Sequence, residues 1–144
     1  MSSLSILIDA DAGGYDNAGV IHQPDNLETT GNSLLITEDP GSHQQSFAGA
    51  TNARLWRFDL ADESLAPVAE VDQSADPAAT TAAWESSGIV DASSWLGAGA
   101  FLIDVEAHTL FVDRELQDVY GDSRPDVTAK REGGQLLVLR IPGA

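Results

Sequence analysis

The chain has 144 residues, 42% of them apolar, with 23 acidic and 7 basic side chains and no cysteine. That length and composition fit one globular domain, residues 1–144, around a single core, and no apolar run approaches the ~18 residues of a membrane span. A net charge of −16 with one lysine, Lys130, leaves no basic stripe for nucleic acid or an anionic membrane, and without cysteine the chain forms no disulfide, catalytic thiolate or zinc–sulfur site of its own.

The charge has two readings: a cation-binding protein, or an acidic surface kept soluble by self-repulsion, as in a salt-adapted organism. In chain order the segments predict a nearly all-β protein. The N-terminal MSSLSILIDADAGG lacks the basic n-region and the long apolar core of a signal peptide. Its short apolar run Ser5–Ala10 leads into a turn with paired glycines, Gly13-Gly14. Pro24-Asp25-Asn26 precedes a second run, Ser33–Glu38, which follows the turn pair Gly31-Asn32 and ends in Glu38-Asp39-Pro40-Gly41.

Arg54–Asp59 and Leu65–Val71 form a hairpin about the turn Ala61–Ser64, and Pro67 marks an edge or a bulge because it has no ladder donor. Asp72–Ala83 is a loop long enough to be functional or mobile. Ile89–Asp91 reads as a brief strand, Ser93–Leu96 as one helical turn and Ala100–Glu106 as a strand. Residues 114–131 read as a long surface loop, and Gln135–Ile141 is the last strand. Short strands between Gly, Pro and Asp turns suit a sandwich, barrel or propeller. About seven strands make fewer than two four-stranded propeller blades.

Several apolar runs begin or end in carboxylates. A hard cation takes oxygen ligands from separate segments, so Asp25, Glu38, Asp39, Glu85, Asp91, Asp104 and Glu106 are candidate ligands. Asp25 can equally cap a turn through side-chain to backbone bonds, and Glu38 can sit in a solvated turn. Glu85 lies between an indole and Ser86-Ser87-Gly88, where it is either an inward ligand or an exposed residue of a β-bulge. Asp104, Glu106 and His108 alternate, so they share one strand face, which is either solvent or a metal site. His22 and His43 look unremarkable. There is no GxSxG elbow, P-loop or DxDxDG calcium loop.

The segments PDNL, LLITEDPG, ARLWRFDLA, WESSGIVDAS, LGAGAFLIDVEAHT and GGQLLVLRI resemble the C-terminal portion of PhoX-type alkaline phosphatases and related bacterial β-propellers. The resemblance spans Gln23 to Ile141 and implies a partial propeller of about two blades, a fragment of a larger one. It implies a parent that hydrolyses phosphate monoesters outside the cytoplasm with calcium and iron in its central channel. Glu38 and Glu85 then correspond to channel carboxylates, Glu106 and His108 lie where further polar groups approach the channel, and Asp25 is a weaker ligand. The family's iron-binding cysteine has no counterpart here. The rival expectation is a non-catalytic calcium-binding module of a secreted or surface protein. The expected partners are a phosphate ester, the missing part of the propeller, or a second copy joined through open strand edges.

Overall fold

The computed structural model describes residues 2–10, 12–14, 16–40, 48–114 and 129–143, with the backbone alone at 111–114 and 129–132. Seven strands and one helical turn occur among them: β1 (Pro24–Thr29), β2 (Ser33–Glu38), β3 (Arg54–Asp59), β4 (Leu65–Glu70), β5 (Glu85–Asp91), α1 (Ser93–Leu96), β6 (Ala100–Arg114) and β7 (Ala129–Arg140). They form two antiparallel meanders, a four-stranded sheet β1-β2-β3-β4 and a three-stranded sheet β5-β6-β7. The protein is all-β, and neither sheet closes on itself.

Strand alternation divides the core. On one face of the first sheet Leu35 and Leu55 meet Ile89, Phe101, Ile103 and Ile141 of the second sheet and its end. The opposite face presents Ile36, Trp56 and Phe58 to Ile21, with Ile8 and Ala10 packed at the margin. β2 is therefore buried on both sides, which explains its near-continuous apolar sequence. A third cluster, Ala83, Trp84, Val105 and Ala107, carries the second sheet under the loop 72–83.

The β3–β4 hairpin forms as expected. β4 is an edge strand, and Val68 is its bulge, because Leu55 pairs with Ala69 while Trp56 pairs with Pro67. The helical turn Ser93–Leu96 also forms, and Asp91 Oδ1 accepts the Ser93 N–H at 2.7 Å.

Several elements differ from the sequence reading or extend it. The apolar run Ser5–Ala10 forms no strand: Ile6 and Leu7 lie exposed, and Ile8 and Ala10 reach the core. Pro24–Thr29 is a strand despite its polar sequence, because the free side of β2 offers it a ladder that overrides weak β-propensity. β5 starts at Glu85, with a bulge at Ser87-Gly88 between the pairs Ser86–Val105 and Ile89–Ile103. Finally, Arg114 and 129–131, taken as parts of a surface loop, belong to the β6–β7 ladder. The rest of that predicted loop, 115–128, and His43 lie outside the described residues.

Two glycine positions explain local closures. At Gly99, φ is +70° and a Cβ would lie 2.4 Å from the Ile141 carbonyl oxygen, so only glycine lets the start of β6 meet the chain beyond β7. At Gly88 a Cβ would lie 2.9 Å from Asp104 Oδ1. The space beside Gly88 is taken by the Asp104 carboxylate.

Candidate metal centre

Two of the sequence candidates part company at the end of β2. Consecutive residues of a strand face opposite sides, so Glu38 and Asp39 cannot serve one site together. Glu38 turns into the face covered by the N-terminal segment and is 1% exposed. Its carboxylate accepts five donors: the His22 and Arg54 backbone N–H groups, Arg54 Nε, Arg54 Nη2 and Trp56 Nε1, at 2.8 to 3.2 Å. The Arg54 guanidinium stacks 4.6 Å from the Trp56 ring centre and donates also to the carbonyls of Ala18 and Val20.

A carboxylate offers about four lone-pair sites, and donors fill those of Glu38. The structure places Glu38 as a buried structural anion, away from the other candidates. Asp25 is exposed, and its carboxylate accepts from the neighbouring Asn26 amide. His22, which looked unremarkable, is buried beside Glu38, with Nε2 3.0 Å from the Asn17 carbonyl oxygen.

The structure brings Glu85, Glu106 and His108 together. Glu85 is the cross-strand partner of Glu106, and His108 follows two residues later along β6, so all three project from one face. One ligand atom from each lies within 4.8 Å of the others. His108 Nε2 is 3.6 Å from Glu85 Oε2, with the glutamate side chain 18% exposed and the histidine 37%. Asp104, on the same face, lies against Gly88 and is not part of the trio.

Asp39, one residue beyond β2, approaches Glu85 from the other side. The hydroxyl of Ser86 donates to the Glu38 carbonyl at 3.1 Å, which holds the end of β2 against the start of β5. There the Glu85 and Asp39 carboxyls come within hydrogen-bonding reach of each other. The Glu85 pKa is pushed up from 4.5 to about 7, first by burial, then by the hydrogen bond and charge of Asp39. Glu106 pushes it the same way, and His108 opposes the rise. Sequence reasoning placed Asp39 with Glu38 among the strand-end carboxylates but favoured Glu38 as the ligand; strict alternation from a buried Glu38 was the available signal to separate them.

The surroundings hold the cluster in place. Trp84, next to Glu85, donates Nε1–H to Thr109 Oγ1 at 2.7 Å, and Thr109, next to His108, donates to the buried Asp76 carboxylate. Gln73 accepts the Trp84 backbone N–H and donates to the Thr80 carbonyl. The loop 72–83 is thus pinned to both strands that carry the cluster.

Three carboxylates and an imidazole, crowded and partly desolvated, repel one another until a proton or a cation intervenes. Such a set can chelate a divalent ion, and the imidazole suits iron, manganese or zinc better than calcium, which prefers oxygen alone. Comparison with protein-family models, curated proteins and solved structures returns no match for this chain.

Proposed function

We propose that Glu85, Glu106 and His108, with Asp39, form a divalent-cation site, and that the chain is part of a metal-dependent β-propeller acting on phosphate monoesters outside the cytoplasm. The observation that carries the cation reading is the convergence of three ligand atoms within 4.8 Å, beside a third carboxylate, Asp39, just past the end of β2. The propeller reading is supported by two successive meanders packed face to face. Their first strands, β1 and β5, lie side by side, with the Asp91 N–H bonded to Glu28 Oε2 at 2.8 Å. First strands that neighbour one another suit blades arranged about an axis, and Glu85 stands on one of them.

Phosphatase activity rests on the resemblance to PhoX-type enzymes. There a bound cation supplies charge neutralisation for phosphate oxygens and activates an oxygen nucleophile. The residues of this chain hold the ion: Glu85 and Glu106 by oxygen, His108 by Nε2, and Asp39 by a carboxylate that also offsets the ion's charge. Iron suits the histidine-containing cluster, whereas calcium fits only a coordination shell completed by oxygens.

Titration with Mn²⁺ and Ca²⁺ by calorimetry tests the site. Saturable Mn²⁺ binding is expected, weakened by about tenfold or more in Glu85→Gln and in His108→Ala; equal binding by both variants would sink the reading. Turnover of p-nitrophenyl phosphate with iron and calcium present tests the chemistry. A second reading, a non-catalytic cation-binding module, is favoured by the structural engagement of Glu38, which removes one of the carboxylates a catalytic set was expected to use. Cation binding without turnover selects that second reading.

A further inference from the structure

Two sheets have four outer edges, and among the described residues three of them are protected. The edges of β1 and β5 face one another, joined by the Glu28–Asp91 bond and by Ser86 to the Glu38 carbonyl. The edge of β4 is blunted by Pro67, which lacks a donor, by the bulge at Val68, and by exposed Glu63 and Glu70 nearby. β7 has no proline, and its charges, Lys130, Arg131, Glu132 and Arg140, sit only at its two ends. It is an outermost strand of twelve residues, with no charge from Gly133 to Leu139. Leu136, Leu137 and Val138 are 72%, 42% and 54% exposed.

The face beside this edge is apolar at one end, before it reaches Asp104 and Glu106. Val90, Leu102 and Val138 are in register across β5, β6 and β7, and Val90 is 51% exposed. A long strand edge with an apolar middle is a template for another strand.

We propose that this edge pairs with a second copy of the chain, β7 against β7 antiparallel about a twofold axis, to make one continuous six-stranded sheet. Two features of the strand select that occupant. An antiparallel strand meets its own copy with apolar residues opposite apolar residues on both sides of the axis, so one pairing satisfies both subunits. β7 also carries Lys130, Arg131 and Arg140 against one acid, Glu132, on a chain of net charge −16. It is the most positive of the seven strands, so approach along this edge is the approach least opposed by repulsion between copies. The pairing uses the free edge of β7 and none of the cluster residues, although Glu106 pairs with Gly134, two residues from Leu136.

The absence of cysteine makes a direct test simple. Single variants Leu136→Cys and Leu137→Cys place thiols near the axis, where opposed strand residues come within about 4.5–5.5 Å between Cα atoms, a separation a disulfide spans. Oxidation is expected to cross-link at least one of them into a dimer, while Ala66→Cys on the β4 edge stays monomeric. Sedimentation velocity on the cysteine-free protein is expected to show a concentration-dependent dimer. The double variant Leu136→Lys/Val138→Lys, changed only at exposed positions, is expected to lose the dimer while keeping its circular dichroism and melting temperature. A monomer at every concentration overturns the pairing, as does a dimer that survives the double variant or cross-links equally through Ala66.

Discussion

At the scale of single residues, two glutamates of similar sequence context do opposite work. Glu38 ends an apolar run and looks like a cation ligand, but five hydrogen-bond donors and a buried arginine consume it. Glu38→Ala therefore leaves the Arg54 guanidinium buried without its counter-ion, and is expected to lower stability by about 3–5 kcal/mol in urea unfolding. A loss below about 1 kcal/mol would mean that water replaces the carboxylate. The pairing was partly legible, since Glu38 extends the register Thr37–Leu55 to Arg54. What the sequence hides is burial: acidic strand ends read alike whether they face water or a core.

Glu85 behaves differently because its carboxyl is crowded rather than satisfied. Its folded-state pKa is raised from 4.5 to about 7, so between those values the folded chain holds a proton that the unfolded chain releases. More protons bound in the folded state means that stability falls as pH rises through that window and levels off above it. Denaturant midpoints measured from pH 4.5 to 8 are expected to show this fall, flattened in Glu85→Gln. Midpoints that rise over the same range in the wild type alone would show that Glu85 is not protonated at mild pH.

At the scale of elements, pairing rather than propensity decides what the sequence could reveal. The β3–β4 hairpin was legible because its alternation, turn and proline agree. β1 was not, because six polar-rich residues gain strand geometry only from β2. The loop 72–83 read as long and functional or mobile, yet its buried Gln73 and Asp76 anchor it to Trp84 and Thr109. Thr109→Val removes the hydroxyl that links Trp84 Nε1 to Asp76, leaving a buried donor and a buried acceptor unpaired. A loss of about 1–3 kcal/mol is expected, with faster proteolysis within 72–83 than elsewhere. Uniform proteolysis at unchanged stability would count against the anchor.

At the scale of the whole molecule, the −16 charge and the cluster act on stability in separable ways. Self-repulsion of scattered surface carboxylates weakens as the Debye length falls from about 30 Å at 0.01 M salt to about 10 Å at 0.1 M. Unfolding midpoints are therefore expected to rise with NaCl over that range, in the wild type and in Glu85→Gln alike. A divalent cation adds a different contribution, since an ion bound by the folded state alone stabilises it in proportion to the logarithm of its concentration above Kd. Asp39 follows directly on β2 of one sheet and Glu85, Glu106 and His108 stand on the other, so that gain opposes separation of the sheets across the Leu35–Phe101 core. At matched ionic strength, Mn²⁺ is expected to raise the midpoint beyond NaCl in the wild type and to match NaCl in Glu85→Gln. Equal responses of the two proteins to Mn²⁺ would reduce the acidity to screening alone, and the cluster to a patch of surface carboxylates.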